Sequence, residues 1–230
     1  MRQDDNALKL LIVAAWEPEL TRARERHAVD PSPTEVTFST LGVGLVEAGM
    51  GMTQCIVRHQ PELALLVGTA GVFRGEGEEG PVVGEVVVAS RVRLLDASVL
   101  DGTSALPAPM PTEVMLDAKV RDALVAAGAR SVQIANTVGI TVDDAHASRL
   151  HAAHGDDVEH LEAFAFARAC AASAVPCGIV LGIANVVGSS GRAEWLANHT
   201  SASASAADLA WRALPALLRT TTRAQSPERA

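Results

Sequence analysis

Tyrosine is absent from this 230-residue chain, and aromatic residues of every kind make up only 3% of it. A core without large rings is built from Ala, Val and Leu, which suits helices packed closely on a Val-rich sheet. Cysteine is scarce too. Cys55, Cys170 and Cys177 each lie inside an apolar segment and show no C-x-x-C spacing, so reduced, buried thiols are expected and a disulfide framework is not. A cytoplasmic setting is the expectation that follows. Positive charge is in short supply, 19 Lys and Arg against 27 Asp and Glu for a net charge of −8. That weighs against nucleic acid as a partner and in favour of a small ligand or another protein. The apolar run Leu8 to Trp16 is too short to span a bilayer and is interrupted by Lys9. Preceded by Asp4 and Asp5 rather than by basic residues, it reads as a first strand, with no membrane partner expected.

What the chain does have is a hydrophobic fraction of 48%, enough at this length to bury a core without disulfide or metal staples. One α/β domain over residues 1–219 is expected, followed by a polar, flexible tail over 220–230. Leu8 to Ala15, Val36 to Leu41, Leu63 to Val67, Val82 to Val88, Val132 to Val138 and Cys177 to Ala184 read as strands. Helices are expected after Leu20, up to about His59, over Thr112 to Ala127 and over Ala206 to Leu218. From Arg91 to Pro111 the pattern loosens and ends in a proline-rich surface loop. Gly42-Val43-Gly44 after a strand raises a dinucleotide-binding reading. The glycines do not complete G-x-G-x-x-G and no ribose-binding acid follows, so a tight turn is the better account. His146, His151, His154 and His160 lie close in sequence without the spacing of a standard ligand set; no metal and no cofactor is expected.

The stretch from Val158 to Trp195 says most about function. Leu161, Phe164, Ala165 and Cys170 recur near helical spacing, Pro176 stops the helix, and Cys177 to Ala184 is the continuous apolar run that a doubly covered strand needs. Asn185 is the first hydrogen-bonding side chain beyond that run, where open α/β sheets bind their ligands; a turn-forming Asn is the plain alternative. Glu162 falls near the helix start, where a carboxylate is favoured whether or not it faces a ligand. Upstream, Trp16-Glu17-Pro18-Glu19 leads acids and a proline into another helix start. Gly68-Thr69-Ala70-Gly71 ends a buried strand with small residues that expose backbone N–H groups to whatever binds above the sheet.

Taken in order, these residues resemble the nucleoside phosphorylase and nucleosidase superfamily. Its members carry a Met-Glu pair on a helix, here Leu161-Glu162, followed by a strand ending in Ser-Asp or Ser-Asn, here Ala184-Asn185. Within it, Asn185-Val186-Val187-Gly188 followed by Arg192 and Trp195 is most similar to the futalosine hydrolases of menaquinone biosynthesis. The resemblance implies a single-domain, three-layer α/β/α fold with a central mixed, twisted sheet flanked by helices. It implies that Glu19 positions the attacking water, that Asn185 serves the leaving base, and that Glu162 and Leu161 hold the ribose. Thr69, Ala70 and Gly71 would line the ribose and base site, Thr141 and Val142 would cover the purine, and Trp195 would supply an apolar wall. A small-molecule nucleoside substrate is implied, as is a homo-oligomer, dimer or larger, since related nucleosidases use the region of Arg91 to Pro111 at a subunit contact. Leu161 for Met, Ala163 for Gly, and Leu181 and Ala184 for Arg and Ser are departures from the family pattern.

The chemistry suits the residue types. N-glycosidic cleavage passes through a ribosyl cation-like state, so the sugar must be held, a nucleophile activated and the base stabilised. One carboxylate, Glu162, matches the two ribose hydroxyls, and another, Glu19, matches a general base worth ~10²- to 10⁴-fold. An amide at 185 donates to O6 of a 6-oxopurine and accepts from N7–H, which favours hypoxanthine over adenine as leaving group. Hydrolysis is preferred to phosphorolysis, because Arg22, Arg24, Arg58, Arg74 and Arg91 form no recognisable phosphate motif and the Trp-Glu-Pro-Glu turn would repel an anion. The implied activity is hydrolysis of futalosine to hypoxanthine and dehypoxanthine futalosine. Another purine nucleoside hydrolase or phosphorylase, such as a methylthioadenosine/S-adenosylhomocysteine nucleosidase, or a non-catalytic nucleoside-binding protein, are the alternatives.

Overall fold

The computed structural model describes residues 8–32, 34–74 and 79–224. The chain runs β1 (Lys9–Ala14), a short 3-10 turn (Glu17–Leu20), α1 (Thr21–Val29), β2 (Glu35–Thr40), α2 (Leu45–His59) and β3 (Leu63–Val72). It continues through β4 (Val86–Leu94), α3 (Ala97–Leu100), β5 (Glu113–Met115), α4 (Ala118–Ala126), β6 (Arg130–Asn136) and α5 (Asp144–His154). Then come β7 (Val158–His160), α6 (Ala163–Ala172), β8 (Cys177–Val186) and α7 (Gly191–Ala224).

The two-residue period of the strands sorts side chains into two cores. In β1, Leu11 and Val13 pack with α2 and α6, while Leu10, Ile12 and Ala14 pack with α1, α4 and α7. The eight strands among the described residues form one mixed sheet flanked by helices, with parallel pairs such as β1–β3 and β3–β8 beside antiparallel ones such as β4–β8 and β3–β7. Strand β3 is the pivot. One edge pairs β1 over Leu63–Leu66 and then β7 at Gly71–Val72, while the other pairs β8 along its length. Through β8–β4, β4–β6 and β6–β7 the pairing returns to β3, so these five strands close a ring.

Helix α7 lies on β8, and Gly182 is what lets it approach. A Cβ at that position would sit 2.1 Å from the Ala202 carbonyl oxygen, well inside contact distance.

Several elements differ from expectation. The strand expected over Val82 to Val88 starts at Val86 and runs to Leu94, absorbing residues that show no clear period because only part of that strand is covered on both faces. The helix expected from Thr112 is shorter, preceded by β5 and started by Asp117, whose carboxylate accepts the N–H groups of Lys119 and Val120 at 2.9 and 3.0 Å. Helix α5 was unanticipated, since Ala147 and Leu150 are its only buried residues. Helix α7 begins at Gly191 instead of about Ala206 and reaches Ala224, so the first residues of the expected tail are helical; residues 225–230, and 75–78 of the charged loop, lie outside the described residues. All three cysteines are free and buried, and no described helix is long and apolar enough to cross a membrane.

Candidate active site

The carboxyl ends of β1, β3 and β8 open onto a cavity of about 500 Å³. Ala15, Trp16 and Glu19 enter from the turn after β1, Thr69 to Gly71 from β3, and Asn185 from the end of β8. Glu159 to Glu162, Val43 and Ile140 close further walls. The first turns of α7 present Arg192, Trp195, Leu196 and His199, a helical face at i, i+3, i+4 and i+7.

Glu19 is only 7% exposed, held in the 3-10 turn whose next residue, Leu20, is anchored in the core. Its Oε1 accepts from the Thr69 hydroxyl at 3.1 Å, and the Trp195 indole N–H donates to that same hydroxyl oxygen at 3.1 Å. Burial pushes the Glu19 carboxyl up to about 7; the Thr69 bond opposes the rise and the negative charge of Glu162 adds to it. An acid balanced near neutrality can take and return a proton, the property a general base needs.

Glu162 is 5% exposed and stands at the N-terminus of α6. Its Oε1 accepts the Gly44 N–H at 2.7 Å, delivered by the Gly-x-Gly turn, where Gly44 has φ 92°. Two buried side chains fix its backbone. His160 Nδ1 accepts the N–H groups of Glu162 and Ala163 at 3.1 Å each, and Asn136 bonds the Leu161 carbonyl at 3.0 Å and the Phe164 N–H at 2.8 Å. The approach of His160 Nδ1 to Glu162 Oε2 at 3.3 Å is therefore not an ion pair: the nitrogen's lone pair is already engaged, and burial holds the imidazole below its ordinary pKa despite the nearby carboxylate.

Asn185 follows a slip in register. Ala70 pairs with Ile183 and Gly71 with Asn185, leaving Ala184 out of the ladder, and the Asn198 amide collects the Ala184 carbonyl at 2.9 Å. The Asn185 Nδ2 donates one hydrogen to the Val186 carbonyl at 2.8 Å, which aims its second hydrogen and its Oδ1 elsewhere. Gly71 leaves the room: a Cβ there would meet Asn185 Nδ2 at 2.9 Å. Opposite, Trp195 stacks on His199 with centroids 4.4 Å apart, Trp16 lies 6.2 Å from Trp195, and the Arg192 guanidinium sits 5.0 Å over the Trp195 ring.

Glu19, Asn185, Glu162, Leu161, Thr69, Ala70, Gly71 and Trp195 thus line one cavity, although Glu19 and Asn185 are separated by most of the chain. Thr141 and Val142 do not line it. Thr141 is turned behind the wall, donating its hydroxyl to Glu159 Oε1 at 2.5 Å and its N–H to Oε2 at 3.2 Å, and Val142 is 69% exposed; Ile140 occupies the wall in their place. Glu159, His160, Trp16, Val43, Ile140 and His199 were not foreseen as lining residues. His199 was recoverable, lying four residues beyond Trp195, had α7 been read from its true start. Of the arginines considered for phosphate, Arg22 pairs with Asp208, Arg24 with Glu17, and Arg91 with Glu113 and Asp156, and none of Arg22, Arg24, Arg58, Arg74 and Arg91 lines the cavity, whereas Arg192 does. Among the described residues no group of three or more His, Cys, Asp or Glu side chains is placed to share a metal ion.

Comparison with known proteins places this geometry in context. The family model of the phosphorylase superfamily matches residues 15–215. A futalosine hydrolase of Thermus thermophilus is 29% identical over 175 residues, 70% of this chain and 74% of that protein. The native structure of a futalosine hydrolase of Helicobacter pylori superposes with a TM-score of 0.80 at 15% identity, covering 91% of this chain and 98% of the other. A 5′-methylthioadenosine/S-adenosylhomocysteine nucleosidase from Colwellia psychrerythraea, solved with adenine, gives a TM-score of 0.80 at 18% identity over 92% and 96% of the two chains. With the family model spanning the cavity residues from the end of β1 into α7, the chain belongs to the phosphorylase superfamily.

Proposed function

We propose that the chain is an N-glycosyl hydrolase that cleaves futalosine, releasing hypoxanthine and dehypoxanthine futalosine, in menaquinone biosynthesis. The observation that carries this reading is the meeting of Glu19, Glu162 and Asn185 around one cavity. Glu162 accepts hydrogen bonds from the ribose 2′- and 3′-hydroxyls, with Leu161 beside it and Thr69 to Gly71 beneath. Glu19, ionised, takes a proton from water as the oxygen attacks C1′. The C1′–N9 bond breaks, its electron pair leaves with the purine, and a solvent water protonates the base at N7 while Glu19 returns its proton to solvent; Asn185 Oδ1 accepts the new N7–H and Nδ2 donates to O6. Trp195 flanks the sugar side. No cofactor or metal takes part.

Water is favoured over phosphate by the buried carboxyls at the attacking side and by the engagement of Arg22, Arg24 and Arg26 elsewhere. The enzyme works as a cytoplasmic homo-oligomer whose catalytic domain spans residues 1–219. The test is hypoxanthine and adenine release from futalosine, inosine and methylthioadenosine, each with and without phosphate. Phosphate-independent hypoxanthine release from futalosine is expected. Strict phosphate dependence or adenine release would assign the site to another member of the superfamily, and negligible turnover of all three, unchanged in Glu19→Gln, would make it a nucleoside-binding protein.

A further inference from the structure

Arg192 is a cation at the cavity that the steps above do not use. Its guanidinium carbon lies 5.0 Å over the Trp195 ring, and among the described residues it has no carboxylate partner. The acids of the adjoining turns are committed elsewhere. Glu194 Oε2 accepts the Val186 N–H at 2.8 Å and its Oε1 the Ser190 hydroxyl at 2.7 Å, while Glu17 pairs with Arg24 at 3.1 Å. A guanidinium lying over an indole face keeps its planar edge of N–H donors free, the shape that meets a carboxylate in two parallel hydrogen bonds. The wall beside it is aromatic. Two of the chain's three tryptophans, Trp16 and Trp195, gather there with His199, their ring centroids 4.4 to 6.2 Å apart, and Trp16 is still 43% exposed. In a chain this poor in rings, such a gathering at one end of a cavity is an apolar surface suited to a ligand's own ring.

We propose that Arg192, with Trp16 and Trp195 beside it, forms a specificity subsite for a nucleoside whose 5′ arm carries an aryl carboxylate: the rings take the arene and the guanidinium takes the carboxylate. This rests on the reading of the cavity as a purine nucleoside site. With Asn185 at the base, Glu162 at the 2′- and 3′-hydroxyls and Glu19 at C1′, the part of the nucleoside left for the wall of α7 is its 5′ carbon. The benzoate arm of futalosine belongs to this class. The plain 5′-hydroxyl of inosine and the neutral thioether of methylthioadenosine do not. The two halves of the subsite read different things, since the tryptophans accept any flat apolar group, whereas the charge is selected by Arg192 alone. Inorganic phosphate offers a charge without an arene, and the test separates the two.

The test compares futalosine with its neutral carboxamide analogue. Hypoxanthine release is measured for the whole wild-type protein and Arg192→Gln, with and without phosphate, and binding is measured by calorimetry on Glu19→Gln, in which turnover is suppressed. Wild type is expected to prefer the acid to the carboxamide by about 10-fold in kcat/KM, the size of one charge-assisted hydrogen bond at a partly exposed site, and Glu19→Gln to show the same ratio in Kd. Arg192→Gln is expected to bring the ratio close to one, through KM rather than kcat. Damage to the fold would instead lower both substrates alike. The carboxamide is compared with the acid on a protein whose Arg192 is intact, so that result stands even if Arg192→Gln folds poorly. Equal handling of acid and carboxamide overturns the subsite and leaves the hydrolase reading in place, and so does a phosphate requirement that Arg192→Gln abolishes, which would make Arg192 a phosphate ligand. Binding of neither compound overturns both. Preferential binding of the acid with no turnover by wild type would keep the subsite and remove the hydrolase reading.

Discussion

Glu19 and Glu162 are buried to nearly the same extent in one cavity, yet they are held in different ways. Glu162 stands at a helix N-terminus and accepts the Gly44 backbone N–H at 2.7 Å, a donor fixed by the Gly-x-Gly turn. Glu19 accepts the Thr69 hydroxyl at 3.1 Å and is helped by backbone hydrogen bonds from Trp16 and Thr69, yet desolvation outweighs them and drives the carboxyl up to about 7. The difference teaches that burial alone does not assign a role to an acid. What poises Glu19 to exchange a proton is the excess of desolvation over the donors around it, with the charge of Glu162 adding to the rise.

That contrast can be broken one side chain at a time. Glu19→Gln is expected to cause the largest loss, ~10²- to 10⁴-fold or more in kcat for hypoxanthine release, with hypoxanthine binding retained; steady-state kinetics beside calorimetry checks it. Glu162→Gln keeps the shape but loses the charge offered to the ribose hydroxyls, and a fall of ~10- to 100-fold in kcat/KM is expected. Glu19→Gln should also change stability. A carboxyl raised by burial favours the folded state fully below its ordinary value of 4.5, and that contribution is lost as pH rises through about 7. The neutral amide should therefore unfold at a higher temperature than wild type above that pH, by up to roughly 3 kcal/mol in stability. The smallest effect is expected from Trp195→Phe. It removes the indole N–H that bonds Thr69, leaving the Thr69 hydroxyl freer to rotate, and should lower kcat only several-fold.

Much of this arrangement was legible in the sequence, and what was not has physical reasons. Strand β1 declares itself as a continuous apolar run, which suits a strand shared by two cores, and Glu19, Glu162 and Asn185 sit at strand and helix ends where chemistry-bearing side chains stand out against apolar runs. Glu159 was hidden because β7 is only three residues long and directly precedes α6, so Val158 to His160 reads as the start of a helical pattern. Helix α7 was shortened because Ser201 to Ser205 looks like a linker, whereas small residues there admit close packing on Gly182. Thr141 and Val142 were placed on the purine by resemblance. The inward-facing hydroxyl is taken by Glu159, a contact between distant segments that no local pattern reports.

The account turns on Glu19 as a base that ionises near neutrality. The pH dependence of kcat/KM for phosphate-free hypoxanthine release from futalosine tests it most directly. The expected profile rises tenfold per pH unit up to about 7 and then levels, reporting one ionisation in the free enzyme. A rate that stays flat through that region, with the protein folded and saturable, would contradict the assignment of Glu19 as the residue that activates water.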